Sequence, residues 1–258
     1  MIPLVDVHCH LLAGLDDGPR TAEDAVEMCR MAWAEGTRVV AATAHLGQRW
    51  PRATPDRIRT ATEQLVAELK EIDLAMTVYP SAEVDVRPEM EELWRRGELL
   101  GVADRNAYLL IELPMDVFVD LRDTVRRFAE LGIRPILAHP ERYAEMLHQH
   151  GRLEELVRTG CLVQVSSDNV TAPRCPEDAR ALKHWFRRGL VHLVGSDGHS
   201  PRSRPPRMAE AYRTIAGWVG SDVADRLCGF NGLAVLEGRP LRVPKPKPPK
   251  RGWFSRFR

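Results

Sequence analysis

Two histidines on alternate positions close the first apolar run of the chain, Leu4-Val5-Asp6-Val7-His8-Cys9-His10. In an extended strand successive side chains alternate between faces, so His8 and His10 project to one side and Val7 and Cys9 to the other. Two imidazoles placed in this way can grip one metal ion. An isolated His-x-His is as easily a pair of polar residues ending a strand, so the rest of the chain has to decide. Ala42-Thr43-Ala44-His45, Ser81-Ala82-Glu83, Leu110-Ile111-Glu112, Leu137-Ala138-His139-Pro140-Glu141-Arg142 and Gly195-Ser196-Asp197-Gly198-His199 each set a ligand-type residue at or just after the end of an apolar run.

His8, His10, His45, Glu83, Glu112, His139, Asp197 and His199 make an all-nitrogen-and-oxygen donor set, which suits manganese, iron or zinc rather than a soft metal. Eight ligands are too many for one ion and enough for two or three, with carboxylates bridging. Asp17 is a ninth candidate. Asp16 beside it can be read the same way, or as a turn-capping aspartate. Clustered divalent ions lower the pKa of a bound water so that hydroxide is available near neutral pH, and they stabilise both the attacking and the leaving oxygen of an in-line displacement at phosphorus. Arg142, Arg204 and Arg207 stand beside ligand candidates, where planar guanidinium groups could clamp phosphate oxygens; otherwise they are solvated surface charges. His199 or Asp17 could assist as a general acid towards the leaving oxygen.

These residues need a scaffold that gathers strand ends. The chain has 258 residues, 44% hydrophobic and 28% charged, enough for one large core. Strand-like runs recur at 38–43, 75–86, 108–113, 134–139, 161–166 and 191–195. Helical patterns are predicted from Thr21 as N-cap to Gly36, with Ala25, Met28, Cys29 and Ala32 inward, and from Thr54-Pro55 onward, with Ile58, Leu65, Leu69 and Ile72 as the buried stripe. Further helices fall at 89–96, 121–131, 152–159, 176–188 and 206–218. Short apolar strands alternating with amphipathic helices indicate a parallel sheet covered by helices or closed into a barrel. Ligand candidates at the ends of six successive segments favour the barrel, because an open sheet brings only a few strand ends together. The fold expected is α/β, a TIM-like barrel of about seven units.

Composition excludes several alternatives. No apolar run approaches the roughly 18 residues of a membrane span, and the chain passes from Met1 into a strand without a signal-type segment, so a cytoplasmic protein is expected. Five cysteines without a Cys-x-x-Cys pair argue against a disulfide framework or a thiolate zinc site and are expected to be small buried thiols. Six of the 37 basic residues lie in 244–258, which has no acidic residue, leaving 31 basic against 36 acidic in residues 1–243. A body of that sign gives no reason to expect nucleic acid as a partner. Gly238 to Lys250 holds five prolines and reads as an extended linker ending in Trp253, Phe254 and Phe257. The tail, residues 241–258, is expected to be a disordered solubilising extension, or else a weak anchor to anionic membrane.

Asp6-Val7-His8-Cys9-His10 with Gly14-Leu15-Asp16-Asp17-Gly18, Thr43-Ala44-His45, Ser81-Ala82-Glu83-Val84, His139-Pro140-Glu141-Arg142-Tyr143 and Gly195-Ser196-Asp197-Gly198-His199 with Ser203-Arg204-Pro205-Pro206-Arg207 resemble the polymerase and histidinol phosphatase superfamily. Within it they are most similar to the manganese-dependent tyrosine phosphatases of bacterial capsule and exopolysaccharide operons. The resemblance covers residues 1–240. It implies a distorted (β/α)7 barrel with a three-metal cluster at its C-terminal mouth: His8, His10 and Asp197 on one ion with Glu83 bridging, Glu112 and His139 completing the second, and Asp17, His45 and His199 on the third. It also implies a substrate, the phosphotyrosine-bearing cytoplasmic tail of a polysaccharide-synthesis tyrosine kinase, and a place at the inner face of the membrane. The family motif Thr-Pro-His-His stands here as Thr43-Ala44-His45-Leu46, so its second histidine is missing.

Three rivals remain. A thiol-based phosphatase needs five residues between nucleophile and arginine, and Cys175 and Arg180 have four between them and lack the glycines of an anion nest. A histidinol-phosphate phosphatase or other small-phosphoester hydrolase could use the same barrel. A metal-binding scaffold without catalysis would be expected to have lost Glu83, His139 or Asp197, and all three are present.

Overall fold

The computed structural model describes residues 2–114 and 119–243. Seven strands, β1 (Leu4–His10), β2 (Thr37–Leu46), β3 (Thr77–Asp85), β4 (Tyr108–Glu112), β5 (Arg134–Ala138), β6 (Leu162–Ser166) and β7 (Leu193–Gly195), lie side by side in chain order. Every adjacent pair is parallel. Helices α1 (Ala22–Ala34), α2 (Pro55–Glu71), α3 (Met90–Arg95), α4 (Arg122–Glu130), α5 (Ala144–His148), α6 (His150–Arg158), α7 (Ser167–Thr171) and α8 (Pro176–Arg188) fill the crossovers, and α9 (Ala209–Val219), α10 (Ser221–Asp225) and α11 (Asn231–Leu236) follow the last strand. The result is a nearly closed (β/α)7 barrel. The tail expected over 241–258 starts too early: Leu241 packs under the barrel floor and its carbonyl accepts from Arg134 at 2.7 Å, while residues 244–258 lie outside the described residues.

Local signals explain the helix starts. The Thr21 hydroxyl accepts the Asp24 N–H at 3.2 Å, the Thr54 hydroxyl accepts the Arg57 N–H at 3.4 Å, and Pro55 opens α2 where a missing N–H costs nothing. The inward faces of α1 and α2 are buried as their spacing predicts, with one correction: Ile72 is 38% exposed. It follows the last residue of α2 and caps the helix, so it leaves the stripe. The cysteines are free, four of them buried and Cys175 half-buried at the start of α8.

The strands carry an apolar floor and a polar mouth on one face. Ala41, Tyr108, Leu110, Ile136, Leu162 and Leu193 pack together inside the barrel with Val102 and Val235, which close its lower end. Continuing by twos along the same faces leads to His45 on β2 and Glu112 on β4, at the C-terminal ends where parallel barrels build their sites. A second, larger core lies between strands and helices and contains the fully buried Trp185.

The seam between β1 and β7 has no regular ladder among the described residues. At its upper end the Asp197 N–H donates to the His8 carbonyl at 2.7 Å and the His10 N–H to the Gly198 carbonyl at 2.8 Å. The buried Asp6 carboxylate spans the two strands, accepting from the Ser196 N–H at 2.9 Å and the His8 N–H at 3.2 Å. Lower down, the chain after α10 fills the gap. A Cβ at Gly232 would stand 2.9 Å from Val7, and one at Gly229 only 2.2 Å from Ile2.

His192, just before β7, is buried, and its ring Nδ1 accepts the Val163 N–H at 2.9 Å. Burial pushes its pKa down to about 3. The folded state therefore keeps the ring neutral while the unfolded chain takes up a proton near its ordinary value of about 6.5. Stability present above that value should be lost progressively as pH falls towards 3, by about 2 kcal/mol between about pH 7 and pH 5 from this group alone. Urea midpoints at the two pH values, compared with His192→Gln, test it. Equal acid slopes in the two proteins would count against it.

Candidate metal centre

Strand order alone brings the predicted ligands into one cluster. His8 and His10 come from the end of β1, His45 from β2, Glu83 from β3, Glu112 from β4, His139 from just beyond β5, and Asp197 and His199 from just beyond β7. Glu83 is fully buried at the centre. Its Oε2 lies 3.2 Å from His8 Nε2, 3.3 Å from His10 Nε2 and 3.2 Å from His45 Nδ1, while Oε1 lies 2.8 Å from His139 Nε2. Asp197 Oδ1 is 3.5 Å from His8 Nε2, and Glu112 is 3.5 Å from both His45 and His139. Asp17 Oδ1, from the loop after β1, is 3.5 Å from both His45 Nε2 and His199 Nε2.

Four overlapping groups are compact enough to hold an ion: His8–His10–Asp197, His8–Glu83–His139, His45–Glu83–Glu112 and His10–Asp17–His45–His199. The first coincides with a group expected from the resemblance. The geometry gathers Glu112 with His45 and Glu83, where the resemblance paired it with His139, and it adds His10 to the set around Asp17. Two of the residues carry left-handed backbones that non-glycine residues rarely adopt, His139 at φ 30° and Asp197 at φ 52°. Such strain, of order 1–3 kcal/mol each, persists where the surroundings fix the side chain's aim.

Three imidazoles have their tautomer set from behind. His8 Nδ1 lies 3.0 Å from Gln164 Oε1, His10 Nδ1 2.7 Å from Asp16 Oδ2, and His199 Nδ1 2.9 Å from the Asp197 carbonyl. A proton held on each Nδ1 leaves the Nε2 lone pair facing the cluster, the arrangement that metal-ligating histidines use. His8 Nε2 and His10 Nε2 face each other at 3.1 Å with Glu83 beside them, and Asp197 Oδ1 has no hydrogen-bond partner among the described residues. Several acceptors crowded around one small volume fit a cation.

The charges agree. Burial would raise the Glu83 carboxyl, but His8, His45 and His139 hold it well below the usual range. Burial opposes the charge of Asp197, and His8 with Arg142 holds it low all the same. Glu112 is pushed up to about 8, first by burial and then by neighbouring Glu83. A cation between these carboxylates would relieve that repulsion.

Asp16 does two jobs that the sequence left undivided. Oδ1 caps its own loop, accepting the Gly18 N–H at 2.9 Å, while Oδ2 takes His10 Nδ1 and the His45 N–H at 2.8 Å. Asp16→Ala should cost about 10–100-fold in metal affinity, the usual toll for losing a carboxylate behind a ligating histidine. Titration of metal-stripped protein checks this; unchanged affinity would leave Asp16 a loop cap alone. Gln164 is a further functional residue, and its signal in the sequence is a polar side chain inside the apolar run of β6. It is fully buried, and a Cβ at Gly195 would meet both it and His8.

Above the cluster opens a cleft of about 690 Å³, in the range of small-ligand sites. Arg142 and Arg204 both line it, and both donate to Asp197 Oδ2, Arg204 at 2.6 Å. Arg142 is aimed by its neighbour: buried Glu141 accepts the Ser166 N–H at 2.8 Å and the Asn169 side chain at 2.9 Å, pinning the turn after β5. Arg207, expected as a third clamp, is exposed and does not line the cleft. The Pro205-Pro206 turn carries it away, and its carbonyl accepts the Ser167 hydroxyl. Arg49, Arg87 and Trp50 line the cleft unforeseen, and Trp50 stacks on His45 with ring centroids 5.8 Å apart. Where the family motif has its second histidine, Leu46 is buried in the outer core.

A parallel α/β barrel with a histidine–carboxylate cluster at its C-terminal mouth defines the class: barrels that hold metal ions where their strands end. The chain belongs to the capsular polysaccharide synthesis CpsB/CapC family, whose model matches residues 4–237. It is 29% identical over 256 residues to the tyrosine-protein phosphatase YwqE of Bacillus subtilis (strain 168), covering 96% of this chain and 97% of that protein. It is 28% identical over 239 residues to the tyrosine-protein phosphatase CpsB of Streptococcus pneumoniae, covering 90% and 98%. One chain from the crystal structures of YwqE and CpsB, described there as unique metal-dependent tyrosine phosphatases, superposes with a TM-score of 0.89 at 29% identity over 96% of this chain and 100% of that one. A β-aspartyl dipeptidase from Fervidobacterium islandicum, 12% identical with a TM-score of 0.58, shares the fold.

Proposed function

We infer that this chain is a metal-dependent phosphatase that removes phosphate from tyrosines on protein. The observation that carries the reading is the convergence of Arg142 and Arg204 on Asp197, in the wall of the same cleft that Glu83, Glu112, His45 and His199 line. Cationic forks beside a metal-ligand cluster suit a phosphate dianion. Family membership and the names of the relatives point the same way.

The residues proposed to hold the ions are His8, His10, Asp17, His45, Glu83, Glu112, His139, Asp197 and His199, with manganese as the ion and two or three bound. Such ions, when bound, lower the pKa of water and offset charge on phosphoryl oxygens. Arg142 and Arg204 would bind and orient the phosphate. Trp50, flat against His45, offers an aromatic wall to the phenyl ring. Asp17 and His199 stand together at the cleft wall, but as an ionised carboxylate and an imidazole whose proton sits on Nδ1 they are placed as ligands rather than as proton donors to the departing phenolate. The substrate protein proposed is the tail of a polysaccharide-synthesis tyrosine kinase at the inner face of the membrane. No helix among the described residues is long and apolar enough to cross a membrane.

Metal-stripped protein resupplied with manganese should release phosphate from a tyrosine-phosphorylated kinase-tail peptide far faster than from histidinol phosphate, and His139→Ala should not. Preference for histidinol phosphate would keep the centre and overturn the substrate. Metal binding without release from either would favour a scaffold.

A further inference from the structure

At the lower end of the barrel, away from the strand ends that carry the metal-ligand cluster, lies a second cavity of about 420 Å³. Phe186 of α8, Trp218 and Val219 of α9, Val223 of α10 and Leu227 after it give it apolar walls, and Val191 and His192 come from the segment entering β7. Its size is that of a small-molecule site rather than a packing gap. Three features mark it as built to receive something.

The first is His192. Its Nδ1 accepts the Val163 N–H at 2.9 Å, so the neutral ring carries its proton on Nε2. That Nε2–H is buried and has no hydrogen-bond partner among the described residues. A buried donor left unmet costs about 1–3 kcal/mol, and native proteins keep few of them. The second is the rim, where Arg187, Arg226 and Arg242 line the cavity, are exposed, and make no ion pair among the described residues. Arg188 is also there but is engaged with Glu154 at 2.7 Å. The third is the mixture itself: an aromatic and aliphatic interior under three unpaired guanidinium groups and one buried imidazole donor, with no carboxylate among the lining residues.

We propose that this cavity is a second ligand site, for an amphipathic anion: an aromatic or aliphatic body seated between Trp218 and Leu227, with a carboxylate, sulfonate or phosphate held by the arginine rim and His192. Residues 244–258, with six basic residues and no acidic one, match the sign of the rim instead of complementing it. Such a segment would meet the rim with repulsion.

The probe is anilinonaphthalene sulfonate, an aromatic anion that fluoresces when desolvated, titrated into the full chain. Its uncharged parent, phenylnaphthylamine, is the control for the apolar body. Saturable binding at one probe per chain is expected. The exposed double substitution Arg226→Ala/Arg242→Ala should weaken the sulfonate about tenfold or more while changing the uncharged probe less than about twofold. Val219→Trp, which fills the cavity from its edge, should remove both. Because the three substituted positions lie far from the cleft residues in the chain and on other elements, unchanged phosphatase activity would show that the variants are folded. Absence of saturable binding, or binding that neither variant alters, would overturn the proposal. So would a concentration-dependent dimer that the same variants abolish, which would assign the face to a second copy of the chain.

Discussion

Glu83→Gln is expected to lower kcat for phosphotyrosine release by about three orders of magnitude or more and to strip the centre of most of its metal. Glu83 sits among four of the proposed ligands: both its oxygens are used, between them facing His8, His10, His45 and His139 at 2.8 to 3.3 Å. Glutamine keeps the shape and removes the charge, so the loss would be electrostatic rather than steric. It also aims an N–H₂ at imidazole nitrogens or at an ion, whichever way the amide turns. Metal content by elemental analysis, read beside kcat, separates this from general damage. Glu112→Gln should be milder, since Glu112 lies at the edge of the cluster, 18% exposed against zero for Glu83. A Glu83→Gln protein with full metal content and ordinary kcat would remove the proposed centre altogether.

The second large effect belongs to the clamp. Arg142→Ala should reduce kcat/KM about 10²–10³-fold with metal content unchanged, and inhibition by inorganic phosphate should weaken in parallel. Arg142 stands at the cleft with 37% of its side chain exposed and donates to buried Asp197, and its turn is anchored by Glu141 to β6 and α7, so its guanidinium is held rather than recruited. Lysine restores the charge but not the planar fork, so Arg142→Lys should recover only part of the loss. Arg204→Ala should behave similarly. If Arg142→Ala lost metal along with activity, the residue would be positioning Asp197 instead of binding phosphate.

The barrel and its ligand order were legible because six of the seven strands are short apolar runs with a histidine or carboxylate at or near the end, β6 being the exception. The last part of the chain was not. Residues 221–236 contain Gly229 and Gly232, which ordinarily punctuate helices, yet here they continue through a π-helical turn, Arg226–Phe230, into α11. Their small size serves packing: Ile2, Val5 and Val7 leave no room for a Cβ. A glycine required by a distant strand looks, in sequence, like a glycine required by a turn. The same limit explains Asp16, whose loop-capping oxygen is a local signal while its grip on His10 and His45 appears only after folding. Arg207 shows the converse, as proximity in sequence to Arg204 and Asp197 suggested a shared site until two prolines turned the backbone away.

The seam has a further consequence. His8 and His10 stand on one bank of it and Asp197 and His199 on the other, and between the banks run a few backbone hydrogen bonds and one carboxylate rather than a full ladder. Ions held as proposed would therefore cross-link the first and last strands of the barrel, acting as the rivet of a hoop. Occupancy and closure then become linked, so that part of the binding free energy is stored as resistance of the hoop to opening. Hydrogen exchange at β1 and β7 should slow on metal addition more than at β3 or β4, and this joint should be where the metal-free protein first comes apart.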